Sequence, residues 1–159
     1  MLIQPTLMTG LGQIQFSGSA IIGVLSSPHF YSGYGYFDAR KASAQIFIGD
    51  GVYINNNSTI ICEETSIYIG DRTLIGMNCE IMDSDFHDLD PNHRLDGKPK
   101  TAPVHIGCNV FIGSGVKILK GVTIGDHSVI AAGSIVNADI PSHVIAGGIP
   151  AKIIRELKS

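Results

Sequence analysis

The sequence predicts a parallel β-solenoid, a stack of coils in which short strands are joined by tight corners. An aliphatic residue returns at every sixth position of one long segment: Ile106, Ile112, Ile118, Ile124, Ile130 and Val136. A six-residue period matches neither the 3.6-residue period of an amphipathic helix nor the alternation of a half-buried strand. The 19 glycines suit a chain with many corners. We therefore expect three strands in each coil of about 18 residues, with the aliphatic side chains stacked in the core.

The same frame continues upstream through two interruptions. Two earlier sets of three residues share it: Ile48, Ile54 and Ile60, then Ile69, Ile75 and Ile81. A short insertion at residues 66–68 separates these sets, and a long break follows the second one. The break predicts a loop expelled from the stack over residues 82–105, because polar residues that the core cannot hold must leave it.

The two ends of the chain depart from the repeat. Only Phe16 and Ile22 fit the frame within residues 1–45, so we expect a ragged first coil there. At the other end, prolines stop the repeat and residues 150–159 are predicted to cap the last coil, with Lys152 to Lys158 as a short helix. The whole of residues 1–159 is expected to form one domain.

Composition narrows the function classes. The chain is 44% hydrophobic, has a net charge of −3 and a pI near 6.0, which gives no basis for a nucleic-acid or anionic-membrane partner. It contains no run of 18 apolar residues and no charged-then-apolar leader, so the expected location is the cytoplasm. Cys62, Cys79 and Cys108 lie far apart and are interpreted as reduced thiols; a catalytic thiol is the less favoured alternative.

The expelled loop carries the residues that could perform chemistry. His87 stands where the six-residue frame, counted on from Ile81, would place an aliphatic residue. Four carboxylates lie within four residues of it: Asp83, Asp85, Asp88 and Asp90. An imidazole held through one ring nitrogen by a carboxylate or a carbonyl can act as a general base through the other. A solvated polar loop is an equally good interpretation of the composition alone.

A metal site is the third interpretation of this loop. His87, His93 and His105 could supply ligands, but their spacing matches no zinc pattern and no cysteine supports them. We therefore expect no metal.

Taken together, the six-residue repeat, the loop DSDFHDLDPNHR and the tail from Ile145 to Arg155 resemble the hexapeptide-repeat acyltransferases. The maltose and galactoside O-acetyltransferase branch is the most similar, and the chain is closest in character to polysaccharide O-acetyltransferases. The resemblance implies an all-β fold, a left-handed parallel β-helix, assembled as a homotrimer with active sites between subunits. It also implies direct acetyl transfer from acetyl-CoA to a hydroxyl of a sugar-type acceptor, with His87 as the base.

The resemblance also assigns roles to individual positions. Those matching acceptor-binding residues are Asn55, Glu63, Asp85 and Phe111. Those matching coenzyme-binding residues are Ser114, Ala132, Asn137, Ala138, Lys152 and Arg155. Asn137 and Ala138 replace a Thr-Lys pair, so one cation expected near the nucleotide is missing. Asn55 could instead belong to a ladder of asparagines that satisfies corner backbone groups.

Two rival functions stay open at this point. An N-acetyltransferase acting on an amino sugar would use the same fold and donor. A non-catalytic β-helix scaffold would keep the repeat without the donor site.

Overall fold

The structure is a computed structural model that describes residues 1–158, and within them it contains strands, turns and loops but no helix. The first three coils comprise β1 (Thr6–Gly10), β2 (Gln13–Phe16), β3 (Ala20–Ile22), β4 (Gly35–Ala39), β5 (Gln45–Ile48), β6 (Val52–Ile54), β7 (Thr59–Cys62), β8 (Ser66–Ile69) and β9 (Leu74–Ile75). The remaining coils comprise β10 (Glu80–Met82), β11 (Val104–Ile106), β12 (Phe111–Ile112), β13 (Lys117–Ile118), β14 (Thr123–Ile124), β15 (Val129–Ile130), β16 (Ile135–Val136), β17 (Val144–Gly148) and β18 (Ala151–Glu156).

Three parallel sheets form the faces of a triangular prism. The first face has the strand order β1-β4-β7-β10-β13-β16, and the second has the order β14-β11-β8-β5-β2. The third face has the order β18-β17-β15-β12-β9-β6-β3, in which β18 alone runs antiparallel to its neighbour. Each strand therefore pairs with the strand one coil away, which is the arrangement that the three-strand repeat predicts.

The strand registers confirm the six-residue frame along its whole length. On the third face, Ile54, Ile75, Ile112 and Ile130 lie in one column. Comparable columns run through the other two faces, and their members are almost fully buried. Corners close tightly between coils: a Cβ on Gly113 would lie 2.5 Å from the backbone nitrogen of Ala132, so only glycine fits there.

Residues 1–45 hold the complete first coil and part of the second. Phe16 pairs with Ile48 and Ile22 pairs with Ile54, as the frame predicts for these two residues. An excursion, residues 23–34, separates the first coil from the second. The buried Asn56 anchors it, because its side-chain amide donates to the Val24, Ser27 and Pro28 carbonyls and its side-chain oxygen accepts from the Val24 amide.

The predicted C-terminal helix is wrong. Ala151–Glu156 forms β18, which pairs antiparallel with β17 after a turn at Ile149 and Pro150. An isolated helix of this length is costly to nucleate, whereas the free edge of β17 offers backbone partners at once. The adjacent Ile153 and Ile154 also favour a strand. The tail therefore adds an edge strand to the third face.

Candidate active site

The expelled loop leaves the stack after β10 and returns at β11, and its base is a short antiparallel ladder. The Ala102 amide donates to the Asp83 carbonyl at 2.9 Å, and the Asp85 amide donates to the Lys100 carbonyl at 3.1 Å. An isolated antiparallel bridge joins Ser84 to Thr101 between these bonds. The loop therefore starts from a fixed base rather than from a flexible joint.

Asp83 anchors this base to the coil beneath. Its carboxylate is fully buried and accepts hydrogen bonds from the amides of Glu63 at 2.6 Å and Thr65 at 2.9 Å, and from the Thr65 hydroxyl at 2.8 Å. The Cys62 thiol also donates to it at 3.3 Å. Burial, with a further contribution from the Asp83 charge, raises the pKa of Cys62 to about 12, so this thiol stays protonated at neutral pH.

His87 lies exposed near the start of the loop, outside the core. Its Nδ1 is 2.9 Å from the backbone carbonyl oxygen of Arg94. Because a carbonyl can only accept, Nδ1 carries the proton in this contact and Nε2 of the neutral ring keeps its lone pair. Ile106 takes the next inward place of the six-residue frame, because residues 83–103 lie outside the stacked strands.

A salt bridge ties the loop to the coil above. Lys120 Nζ lies 2.7 Å from Asp85 Oδ1, and both side chains are about three-quarters buried. The second carboxylate oxygen, Asp85 Oδ2, is buried without a hydrogen-bond partner. The charge of Lys120 is therefore the main compensation for a carboxylate two residues from His87.

A second charged group supports the loop from below. Arg40 lies 3.0 Å from Asp38 and 2.9 Å from Glu63, and its Cζ lies 5.3 Å from the ring centroid of Phe86. Burial alone would lower the pKa of Arg40, but its hydrogen bonds to the two carboxylates outweigh burial and raise it. Lys41 lies 3.4 Å from the other Glu63 oxygen. Glu63 is thus engaged by two cations.

The predicted site residues fall into two groups, at different edges of the prism. The loop corner, defined as the turns from the first face to the second, holds His87, Glu63, Asp85, Asn137 and Ala138. The narrow corner, defined as the turns from the third face to the first, holds Asn55, Ser114 and Ala132. Phe111, Lys152 and Arg155 lie on the third face and are exposed.

An asparagine ladder is present at the narrow corner, but Asn57 forms it and not Asn55. The side chain of Asn57 donates to that of Asn78 at 2.9 Å, which makes the expected ladder one coil step long. Asn55 is not in this ladder; its side-chain oxygen accepts from the neighbouring Asn56 amide at 2.7 Å.

The three histidines considered as metal ligands are not gathered. His105 stacks on Tyr68 with ring centroids 4.6 Å apart, and His93 contacts Asp96 in the loop. Among residues 1–158, no group of three His, Cys, Asp or Glu side chains is arranged to hold a metal ion.

Nor does the described chain contain any helix long and apolar enough to cross a membrane.

Sequence reasoning missed Arg40 and Lys120 and did not recognise Asp83 as an anchor. Arg40 lies 23 residues from Glu63, and Lys120 lies 35 residues from Asp85. The separation of Arg40 and Glu63 is close to the length of one coil, so the repeat could have suggested that contact. The contact of Lys120 with Asp85 depends on the path of the expelled loop, which the repeat does not predict. Asp83 carried a usable signal, because an acidic residue directly after a strand can accept hydrogen bonds from the backbone amides of a neighbouring turn.

Comparisons with known proteins agree with this architecture. A family model described as bacterial transferase hexapeptide (six repeats) matches residues 103–138, and one described as hexapeptide repeat of succinyl-transferase matches residues 66–82. A solved hexapeptide-repeat acetyltransferase of Vibrio cholerae, complexed with acetyl coenzyme A, is 31% identical, covers 99% of this chain and 73% of its own, and superposes with a TM-score of 0.66. The chain belongs to the hexapeptide-repeat acetyltransferase family. The predicted left-handed parallel β-helix is thereby confirmed.

Curated relatives within this family are longer. A putative acetyltransferase of Saccharomyces cerevisiae is 42% identical over 140 residues, which cover 88% of this chain and 66% of the yeast protein. The galactoside O-acetyltransferase of Escherichia coli is 45% identical over 114 residues, which cover 72% of this chain and 55% of that enzyme. The chain thus spans less than two thirds of the length of these relatives.

Proposed function

We propose that this protein transfers the acetyl group of acetyl-CoA to a hydroxyl of a sugar or a surface-polysaccharide precursor. The observation that carries the proposal is the contact of His87 Nδ1 with the Arg94 carbonyl, which leaves Nε2 free to accept a proton. Family membership supports the donor, since the Vibrio cholerae relative binds acetyl coenzyme A. The galactoside relative supports a sugar acceptor. No described observation favours an amino-sugar acceptor or a scaffold.

The proposed chemistry is direct transfer without a covalent enzyme intermediate. His87 Nε2 removes the proton from the acceptor hydroxyl as its oxygen attacks the thioester carbonyl carbon. The tetrahedral intermediate collapses, the carbon–sulfur bond breaks, and the CoA thiolate leaves and takes up the proton from the imidazolium. The Arg94 carbonyl holds the ring in one tautomer and stabilises the positive charge that it gains.

The acceptor side of the proposed site lies around the loop corner. Asp85 lies two residues from His87 in the loop, and Glu63 lies at the same corner, where it already binds Arg40 and Lys41 and so would act together with them. Asn55 and Phe111, which lie elsewhere on the chain, would complete this side from a neighbouring subunit.

A homotrimer follows from the same proposal. The loop corner and the narrow corner lie at different edges of one prism, so a site that uses both requires a second chain. The coenzyme side would combine the narrow corner with Asn137 and Ala138 of the loop corner and with the exposed cations of β18. Its residues would be Ser114, Ala132, Asn137, Ala138, Lys152 and Arg155. Lys152 and Arg155 are the natural partners for coenzyme phosphates.

The proposed donor also bears on location. Acetyl-CoA is a metabolite of the cytoplasm, and the three cysteines are free in the structure, as a reducing compartment requires. We propose a cytoplasmic site of action.

His87→Ala tests the function. Loss of the general base is expected to lower kcat for acetyl transfer by about 10²- to 10⁴-fold, measured as thiol release with a panel of sugars and amino sugars. His93→Ala is the matched control, because it removes an exposed histidine of the same loop and should leave kcat unchanged.

Two further measurements complete the test. Calorimetric titration should give the same acetyl-CoA affinity for both variants, and light scattering should give the mass of three chains. Wild-type turnover in His87→Ala would refute the assignment of the base, and absence of acetyl-CoA binding by the wild type would favour a scaffold.

A further inference from the structure

The residue before the proposed base has an unusual backbone conformation. Phe86 has a φ of 61°, in the left-handed region that residues with a Cβ rarely adopt. Eight non-glycine residues among those described share a positive φ: His29, Asn57, Arg72, Asn78, Phe86, Asn109, His127 and His143. Phe86 alone among them has a hydrocarbon side chain. Glycine or asparagine would adopt this backbone conformation with less strain, so the presence of a phenyl ring at this position requires a separate reason.

The surroundings of Phe86 hold its ring in place. Its amide donates to the Ser84 hydroxyl at 2.9 Å, and Arg40 covers one side of the ring with its guanidinium. Arg40 is itself fixed by Asp38 and Glu63, whose side chains are 6% and 12% exposed. The ring is therefore braced on one side by a guanidinium that two carboxylates hold, while Phe86 stays only half-buried.

The position of the ring relative to the base decides what it can contact. An acceptor hydroxyl must come within about 3 Å of His87 Nε2 to lose its proton. Phe86 and His87 are adjacent in the chain, so their Cα atoms lie about 3.8 Å apart, and an acceptor of pyranose size bound at His87 can reach the Phe86 ring. A half-buried aromatic ring next to the base favours an acceptor with an apolar face, and a pyranose ring has one in its axial C–H groups.

We propose that Phe86, braced by Arg40, is a specificity-determining residue that stacks on the C–H face of a pyranose acceptor beside His87. This inference rests on the proposed acetyl transfer and adds the class of acceptor and the residue that selects it. Acyclic alcohols lack such a face and gain nothing from the ring.

The test removes the ring while keeping the backbone conformation. Phe86→Asn retains a residue that tolerates positive φ, and Phe86→Tyr retains the ring. For the best nitrophenyl or methyl pyranoside of a panel, Phe86→Asn is expected to raise the acceptor KM at least about tenfold, with little change in the KM for acetyl-CoA. Phe86→Tyr should stay near the wild type. With glycerol as acceptor, all of these proteins should have the same kcat/KM.

The matched control is Leu89→Ala, which removes another apolar side chain of the same loop that is 62% exposed. It should leave every KM unchanged. A Phe86→Asn variant with wild-type KM for the pyranoside would overturn the proposal, as would an equal loss with glycerol. A wild type that acetylates glycerol but no pyranoside would overturn it as well and leave acetyl transfer standing. Absence of thiol release with every acceptor would refute the proposed function itself.

Discussion

The regular coils and the expelled loop of this chain are held by different forces. Between residues 104 and 136, strands of two or three residues bond to the coils above and below, and buried aliphatic side chains stack inside. The loop, residues 83–103, contributes no residue to the apolar core. Its contacts are polar: the buried Asp83 carboxylate, the Asp85–Lys120 salt bridge and the His87–Arg94 bond.

This difference teaches how the fold separates stability from chemistry. The hydrophobic interactions that stabilise the stack are non-directional, so the same stack can support many functions. Each polar contact of the loop, in contrast, holds one group in one position. Changes in the stack should therefore act on unfolding, and changes in the loop contacts should act on turnover.

The largest effect is expected from the stack. Ile112→Ala empties a fully buried position between Ile75 and Ile130, and such truncations cost about 2 to 5 kcal/mol of unfolding free energy. Urea unfolding at fixed protein concentration measures it. Leu95→Ala, an aliphatic residue of the loop that is 94% exposed, should change stability by less than about 0.5 kcal/mol. Equal losses would contradict the distinction between the two regions.

An intermediate effect is expected from the Asp85–Lys120 salt bridge. Lys120→Met leaves a largely buried carboxylate uncompensated two residues from the proposed base His87, so the loop should shift. We expect kcat to fall roughly 10- to 100-fold, about 1.4 to 2.7 kcal/mol of barrier, with unchanged acetyl-CoA affinity. Lys120→Arg, which keeps the positive charge, should retain most of the wild-type kcat.

Lys117 offers the matched control for that salt bridge. It lies three residues from Lys120 and pairs with Glu80 at 2.6 Å, but on the first face and away from the loop. Lys117→Met should leave kcat unchanged, because this pair is more exposed and positions no catalytic group. Similar kcat values in the two methionine variants would mean that Lys120 does not position the loop.

The smallest effect concerns the buried thiols. Burial raises the pKa of Cys62 to about 12 and that of Cys79 to about 11, above the ordinary value of 9.0. The folded state thus keeps these protons when the unfolded state loses them. Their contribution to stability is complete below pH 9 and is lost as the pH rises from there towards 12.

Thiol titration tests whether the folded protein protects Cys62 and Cys79. Near pH 8, a disulfide reagent should modify the half-buried Cys108 in the native protein and all three cysteines in denaturant. Native modification of Cys62, identified by mass spectrometry, would show that the coil beneath Asp83 opens.

Much of the fold and part of the site could be predicted from the sequence. The column that contains Ile54 and Ile112 follows from a period that no helix or simple strand shares. His87 drew attention because the repeat breaks there, and it lies on the surface of the expelled loop. The tail was predicted as a helix, since local composition does not record the free edge of β17 that makes β18 a strand.

The sequence by itself determined the stack, its register and the point at which the chain leaves it, because side-chain periodicity is a local property. Only the tertiary structure decided how the loop is held. Arg40 reaches Phe86, and Lys120 reaches Asp85, across coils whose alignment depends on the closing of an irregular loop. Contacts of that kind arise from the path of the backbone in three dimensions, which spacing along the chain does not encode.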